Sequence, residues 1–239
     1  METLLGIDSL EIESLEFAGT WLEGVSLAVL ARLLVGSRRY EVRGGAMVFA
    51  FSDAAPRVAV VLQGTARAFL TAADGRQLTV RYARRGALIG RRSDLIGAHA
   101  PLAVQAVTDC TILEFDRDLF LMTAAAEISV ATGVIVELSA RMEDLYATAG
   151  DSAFGSVRQR LVRHLLALAE QDLADENHLV SVSQQQLADA TGSSREAVAR
   201  VLADLRAAGL IRTGPREITL LNIDALVPLL SDWHRESPY

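Results

Sequence analysis

The chain has 239 residues, of which 51% are hydrophobic and 22% are charged. This composition is that of a folded globular protein, long enough for one large domain or two smaller ones, and it excludes wholesale disorder. The single cysteine, Cys110, excludes an internal disulfide, a cysteine-built zinc site and a four-cysteine iron–sulfur cluster within one chain. We therefore expect neither a metal site nor a bound cofactor.

The formal net charge is −7, which disfavours a polyanionic partner unless the basic residues are clustered. All 23 basic residues are arginines, and five of them lie between Ser193 and Arg216 against two acidic residues, a local charge of +3. An acidic chain with one basic patch is compatible with nucleic-acid binding at that patch alone.

The N-terminal segment, residues 1–24, is acidic and weakly patterned. Its first 23 residues contain six acidic side chains and no basic one, whereas a signal peptide begins with a positively charged region. No apolar run reaches the roughly 18 to 20 residues of a membrane span. We therefore expect a cytoplasmic protein with a poorly ordered or loosely docked extension, followed by a short amphipathic helix with Ser26 as its N-cap.

Residues 25–123 contain short apolar runs separated by turn signals, at 58–62, 66–70, 77–82, 102–107 and 111–115. Asp74-Gly75 lies between two such runs and predicts a hairpin with a type I′ turn, in which both central residues have positive φ. Strands at this spacing predict an all-β barrel or roll.

Residues 124–150 are predicted to form one long helix that ends in the segment between Gly150 and Gly155. Its apolar residues recur at alternating spacings of 3 and 4, which is typical of a heptad seam. Val130 and Val134 form a second apolar edge that would face the roll. One interpretation is a helix lying only on its own roll; we favour a homodimer, whose seam would consist of Ile128, Ala131, Ile135, Leu138, Met142, Leu145 and Ala149.

Residues 151–239 are predicted to form a second domain, and its segment 183–205 predicts a helix–turn–helix. Ser183 and Ser194 are suited to cap the two helices, and Gly192 lies where the turn needs positive φ. The second helix carries two arginines and a glutamate, which can bind guanine and cytosine edges respectively in the major groove. A solvated helix with a Glu196–Arg200 pair is the alternative. The strand-like runs around 213–215 favour a winged helix–turn–helix.

The segment from Ser194 to Arg200 resembles the recognition-helix signature Ser-Arg-Glu-Thr-Val-x-Arg of the CRP/FNR family of bacterial transcription regulators, and the resemblance extends over residues 26–230. It implies an α+β fold with an N-terminal double-stranded, jelly-roll-like β-roll, a dimerisation helix and a C-terminal winged helix–turn–helix. It also implies a homodimer bound to double-stranded DNA at a palindromic TGTGA-like operator, with RNA polymerase as a partner of any activator. The implied base contacts are Arg195, Glu196 and Arg200, and the implied phosphate contacts are Ser183, Gln185, Ser194 and Arg158.

The effector region departs from this family. Its cyclic-nucleotide binders carry Gly-Glu, followed about a dozen residues later by Arg-Ser or Arg-Thr, whereas this chain reads Gly90-Arg91 and then Ala100-Pro101-Leu102. A buried phosphate without a cation is unfavourable, and an arginine offers a ribose hydroxyl no acceptor. We therefore expect no control by cyclic AMP in the usual way, with an altered pocket near Arg91, Leu102, Leu145 and Tyr146.

Other functions remain open from the sequence. The effector could be an anionic metabolite or a haem-bound gas, with His99 or Cys110 near the haem, or the pocket could hold no ligand. A cupin-like enzyme is not expected, because the roll contains no His, Asp and Glu cluster at ligand spacing. A module that does not bind DNA is the other alternative. The arginines that could hold an anion, unless they are simply solvated, are Arg81, Arg84, Arg85, Arg91 and Arg92.

Overall fold

The computed structural model describes residues 17, 20–50, 58–90, 102–169, 178–215 and 217–230. The chain divides into two compact units: Met1–Ala68 with Arg81–Glu143, and Phe69–Val80 with Asp144–Tyr239. The second unit thus contains residues 69–80 as well as the C-terminal region, whereas the sequence suggested one uninterrupted roll over residues 25–123.

Eight strands form the N-terminal β-structure of the described chain. They are β1 (Arg38–Val42), β2 (Met47–Phe49), β3 (Val58–Gln63), β4 (Ala66–Thr71), β5 (Gln77–Ala83), β6 (Leu88–Gly90), β7 (Leu102–Ala106) and β8 (Cys110–Phe115). They are arranged in two four-stranded sheets of order β1-β8-β3-β6 and β2-β7-β4-β5. The strand β3 pairs antiparallel with both β8 and β6, which leaves β1 and β6 as the edges of the first sheet.

The hairpin between β4 and β5 forms as predicted, but its turn is not type I′. Gly75 has a φ of +86°, whereas Asp74 is not among the residues with positive φ. The Ala72 N–H donates to the Arg76 carbonyl at 2.8 Å, and the Gly75 N–H donates to the Ala72 carbonyl at 2.9 Å. The loop therefore has three residues, with glycine in the left-handed last position. Asp74 instead accepts from the Arg76 N–H at 3.1 Å and from its Nε at 2.8 Å.

The described part of the N-terminal segment is docked in the core, and the expectation of a loose extension was wrong there. Phe17 and Leu22 are buried together with Val130 in one hydrophobic cluster. Trp21 makes edge contacts with Phe115 and Phe120, at ring-centroid distances of 6.4 and 6.0 Å. In the sequence these apolar residues lie among acidic ones, so the pattern of the segment did not indicate that they pack in the core.

Three helices contribute residues to the hydrophobic core of the first sheet: α1 (Leu27–Leu33), α2 (Arg117–Ala126) and α3 (Ile128–Phe154). Ser26 occupies the N-cap of α1 without a side-chain hydrogen bond, whereas Asp116 caps α2 by accepting from the Leu119 N–H. Glu127 has extended φ and ψ and separates α2 from α3. Val130 is fully buried and Val134 packs against the same core, as the second apolar edge predicted.

The long helix α3 does not occupy the predicted range of 124–150. It begins at Ile128 and continues through Gly150 to Phe154. A glycine inside a helix costs only about 1 kcal/mol relative to alanine, which is too little to end a helix that packing supports. The helix ends at Gly155, where an added Cβ would lie 2.6 Å from the Asp151 carbonyl oxygen.

The C-terminal region is a winged helix–turn–helix. Its elements are α4 (Val157–Ala169), β9 (Leu179–Ser181), α5 (Gln184–Thr191), α6 (Arg195–Ala207), β10 (Ile211–Gly214), β11 (Glu217–Leu220) and α7 (Ile223–Leu226), followed by a 3₁₀ turn (Val227–Leu229). The helices α4, α5 and α6 each bury an apolar face, and a three-stranded sheet of order β10-β11-β9 packs beside them.

Within the described residues, no single helix has the length and apolar character needed to cross a membrane. Only α2 and α3 taken together satisfy those two criteria, and they meet at a bend of 108°.

Candidate nucleic-acid interface

The first helix of the motif, α5, is fixed at its start by a reciprocal cap. The Gln186 N–H donates to the Ser183 Oγ at 3.1 Å, and the Ser183 N–H donates to the Gln186 Oε1 at 2.8 Å. Two of the backbone donors that a helix start leaves without partners are thereby satisfied. The predicted capping role of Ser183 is confirmed.

The turn between the two helices adopts the predicted left-handed conformation at Gly192, with φ +60° and ψ +33°. The Ser193 N–H donates to the Ala188 carbonyl at 3.0 Å, which closes the end of α5. The next residue, Ser194, starts α6 by accepting from the Ala197 N–H at 3.2 Å. Because both ends of the turn are hydrogen-bonded, local chemistry sets the direction in which α6 leaves α5.

The second helix, α6, buries one face and exposes the other. Val198, Leu202 and Leu205 lie in the core, whereas the predicted base-contacting residues are all exposed near the N-terminal end: Arg195, Glu196 and Arg200. The structure brings the three side chains to one end of one helix. That end is the part of a recognition helix that reaches base edges in the major groove.

Glu196 stays ionised at neutral pH. Hydrogen bonding from its own backbone N–H and then from Ser194, together with the charge of Arg195, lowers the pKa of its carboxyl group. Within the described residues no ion pair joins Glu196 to Arg200, so the internal pair of the alternative interpretation does not form. The surface therefore offers an acceptor and two donor groups that do not neutralise one another.

The predicted phosphate contacts lie at the starts of three helices. Ser183 uses its hydroxyl oxygen as a cap and keeps an O–H that can donate to a phosphate, whereas the Ser194 hydroxyl caps α6 and also donates to the Glu196 carboxylate. Arg158 is exposed in the first turn of α4. Gln185 is exposed but donates to the Asp189 Oδ1 at 2.8 Å, so its amide is partly engaged within α5.

The wing carries a further exposed basic residue, to which the sequence motifs assigned no contact. Arg212 is exposed on β10, in the pair of strands that follows α6. Arg206, in the last turn of α6, donates to the Thr213 Oγ1 at 3.2 Å and thereby connects the helix to the wing. The position of Arg212 on a predicted wing strand was a signal that could have identified it.

The predicted effector-pocket residues are only partly described. Arg91 lies outside the described residues, as do Arg92 and His99. Leu102 is half-buried on β7 in the first unit. Leu145 and Tyr146 are exposed on the part of α3 that belongs to the second unit.

Arg81, one of the predicted anion-binding arginines, is not solvated but buried in an ion pair with Glu137. Its Nη2 lies 2.8 Å from the Glu137 Oε1, and the two side chains are only 10% and 11% exposed. Glu137 also accepts from the Leu88 N–H at 3.0 Å, while Arg141, one turn further along α3, donates to the Leu88 carbonyl. One turn of the long helix therefore binds both main-chain groups of a residue on the edge strand β6. No pattern in the sequence indicated this contact.

Cys110 is a buried thiol without the character of a metal ligand. Its Sγ lies 3.2 Å from the Thr65 carbonyl oxygen, and burial raises its pKa to about 11. Ligation and redox chemistry need the thiolate, which is scarce at neutral pH for such a group. No group of three or more His, Cys, Asp and Glu residues that could hold a metal occurs in the described ranges.

The architecture is that of a regulator with an N-terminal β-structure and a C-terminal DNA-binding winged helix–turn–helix. A family model of the cyclic nucleotide-binding domain matches residues 39–126, and one of the Crp-like helix-turn-helix domain matches residues 159–229. The transcriptional regulator LdrP of Thermus thermophilus is 32% identical over 167 residues, which are 69% of this chain and 82% of the relative. The chain belongs to the CRP/FNR family of transcription regulators.

Further similarities agree with this assignment. The CRP-like protein Clp of Xanthomonas axonopodis pv. citri is 31% identical over 194 residues, which are 77% of this chain and 83% of that protein. Among solved structures, the c-di-GMP-responsive global regulator Clp of Xanthomonas campestris superposes with a TM-score of 0.71 at 26% identity, covering 82% of this chain and all of that one. The predicted α+β fold class is confirmed.

Proposed function

We propose that this protein is a homodimeric, sequence-specific regulator that binds a palindromic TGTGA-like operator. The observation that carries the proposal is the cluster of Arg195, Glu196 and Arg200, exposed and not paired with one another at the N-terminal end of α6. Arginine binds guanine O6 and N7, and glutamate accepts from cytosine N4. Membership of the CRP/FNR family supports two further parts of the proposal. The protein acts in the cytoplasm, where the bacterial chromosome lies, and RNA polymerase is its partner if it is an activator.

The exposed seam of α3 supports the homodimer. Of its predicted residues, Ile128 is 84% exposed, Ile135 62% and Met142 51% in the single chain. Monomeric soluble proteins rarely leave a continuous apolar stripe in water, and a second copy of the same helix would cover it. A two-fold dimer then places two α6 helices about one helical turn of DNA, ~34 Å, apart, which requires a palindromic site.

The second part of the proposal is that cyclic AMP does not control this protein in the way usual for the family. Arg91 occupies the position at which the family's cyclic-nucleotide binders carry glutamate. On α3, Glu137 binds Arg81 and the Leu88 N–H, and Arg141 binds the Leu88 carbonyl. Relatives differ in what they respond to: one relative from Thermus thermophilus is a cyclic AMP receptor protein, and Xanthomonas campestris Clp is c-di-GMP responsive. Cyclic AMP and c-di-GMP are therefore the ligands to compare.

The proposal is tested by selecting DNA from a random library and measuring the affinity of the selected site. Wild-type protein should enrich an inverted repeat with G·C pairs in each half. Arg200→Ala should weaken binding to that site by about 1–3 kcal/mol and relax the preference at one base pair per half-site. Equal weakening on all DNA would assign Arg200 to a phosphate, and failure of the wild type to enrich any repeat would refute the proposed function.

A further inference from the structure

One arginine side chain of α4 binds both the end of the long helix and the turn of the helix–turn–helix. Arg160, in the first turns of α4, is half-buried and donates three hydrogen bonds. Its Nη1 reaches the Gly155 carbonyl at 2.8 Å, its Nε the Thr191 carbonyl at 3.0 Å, and its Nη2 the Ser193 Oγ at 3.3 Å. The acceptors lie in two segments that are more than thirty residues apart in the sequence.

Each acceptor occupies a position that matters for the direction of α6. Gly155 ends the long helix, Thr191 is the last residue of α5, and Ser193 immediately precedes the N-cap of α6. Carbonyls at a helix end have no partner within the helix, so a guanidinium that reaches one of them satisfies an orphan acceptor. Arg160 therefore connects the end of α3 to the turn from which α6 begins.

A second arginine, one turn further along α4, strengthens the same junction. Arg163 forms an ion pair with Asp151, a carboxylate that is only 4% exposed near the end of α3. Between them, Gly155 approaches the Asp151 carbonyl so closely that no Cβ fits. The connection between α3 and α4 is thus held by the Arg160 hydrogen bond to Gly155 and by the Arg163–Asp151 ion pair, so it is not a flexible linker.

We propose that Arg160 is a positioning residue for DNA recognition: it fixes the angle at which α6 projects Arg195 and Glu196 from the end of the long helix. This inference rests on the proposed function. The Arg160 side chain donates to carbonyl and hydroxyl oxygens within the protein, so it is not a phosphate contact. Arg158, two residues earlier, is exposed and has the phosphate role instead.

The chemistry of the side chain explains why arginine is needed. A guanidinium is planar and presents several fixed N–H donors, so it binds three acceptors in different directions at once. A lysine keeps the charge but carries one compact ammonium group, which cannot span the same three oxygens. Arg160→Lys therefore removes the geometry and preserves the charge.

The test compares Arg160→Lys with Arg158→Gln as the control on the same helix. Dissociation constants are measured for the selected operator and for a scrambled duplex of equal length. For Arg158→Gln, both constants should rise by a similar factor, so their ratio stays within about twofold of wild type. For Arg160→Lys, binding to scrambled DNA should change less than about twofold, whereas binding to the operator should weaken at least tenfold.

If the operator-to-scrambled ratio of dissociation constants is unchanged for Arg160→Lys, the inference is wrong, even if both constants rise by the same factor. That result leaves the proposed function in place. If Arg160→Lys loses its helical circular dichroism, Ser193→Ala decides, because it removes one of the three acceptors of Arg160, together with the hydrogen bond that the Ser193 hydroxyl donates to the Thr191 carbonyl at 3.3 Å. A rise of about two- to threefold in its operator-to-scrambled ratio of dissociation constants supports the inference, and an unchanged ratio refutes it. A wild type without any preference for the operator refutes the proposed function itself.

Discussion

The buried pair between Arg81 and Glu137 gives a quantitative prediction for the first unit. The charged atoms lie 2.8 Å apart with both side chains about nine-tenths buried, so each charge depends on the other for compensation. At an effective dielectric constant of about 20, two unit charges ~4 Å apart interact by about 4 kcal/mol. Removing one partner of a buried pair typically costs about 3–5 kcal/mol, because the other charge stays buried.

The structure predicts an asymmetry within this pair. Glu137→Gln keeps an oxygen that can accept from the Leu88 N–H. Glu137→Gln and Arg81→Met each remove one charge of the pair, and each should lower the free energy of unfolding by about 3 kcal/mol. Glu137→Met also removes that acceptor and should cost about 1 kcal/mol more. The double variant Arg81→Met with Glu137→Met leaves no buried charge and should lose only about 1–2 kcal/mol.

Urea unfolding of the four variants, followed by Trp21 fluorescence, measures these differences. Trp21 packs in the core of the first unit, and a Trp233→Phe background leaves it as the only tryptophan of the chain. The coupling free energy of the double-mutant cycle should exceed about 2 kcal/mol. Single variants within about 0.5 kcal/mol of wild type would refute the reasoning, because such values are typical of a solvated pair.

Three further predictions concern assembly, pH and ligand response. Leu138→Glu, within the exposed seam, should convert the dimer to a monomer in sedimentation equilibrium and reduce operator affinity; a variant that stays dimeric would place the interface elsewhere. The pKa of Cys110 is raised from 9.0 to about 11, so wild-type stability should fall by up to about 3 kcal/mol between pH 9 and 11 in urea titrations, whereas Cys110→Ser should lack this fall. Calorimetric titration with millimolar cyclic AMP should show no saturable heat, and a dissociation constant below about 100 μM would contradict our interpretation of Arg91.

The winged helix–turn–helix could be predicted closely because its signals are local. Ser183 with Gln186, Gly192 and Ser194 each act within four residues, and each has the conformation or hydrogen bond that its type favours. A cap or a left-handed glycine depends on its immediate neighbours more than on the rest of the fold. The sequence is therefore sufficient to place the recognition helix.

The contacts of the long helix could not be predicted in the same way. Glu137 and Arg141 have the spacing of an ordinary surface pair on a helix, yet they bind Leu88, about fifty residues earlier in the chain. Nothing in a local pattern distinguishes the two cases. The same holds for Gly150, whose helical conformation depends on packing that the pattern does not record.

The close approach of the N-terminal segment to the long helix bears on how this protein can be shortened. A Cβ at Gly133 would lie 2.4 Å from the Trp21 carbonyl oxygen, and Leu22 is 1% exposed beside it. A truncation that starts at residue 26, where the family resemblance begins, would open a cleft along the helix and expose Val130 and Phe115 to water. Such a shortened protein should aggregate, because the exposed apolar surface is contiguous. The described residues of the N-terminal segment, Phe17 and 20–24, thus pack with the core of the first unit, and any shortened version of the regulator has to retain them.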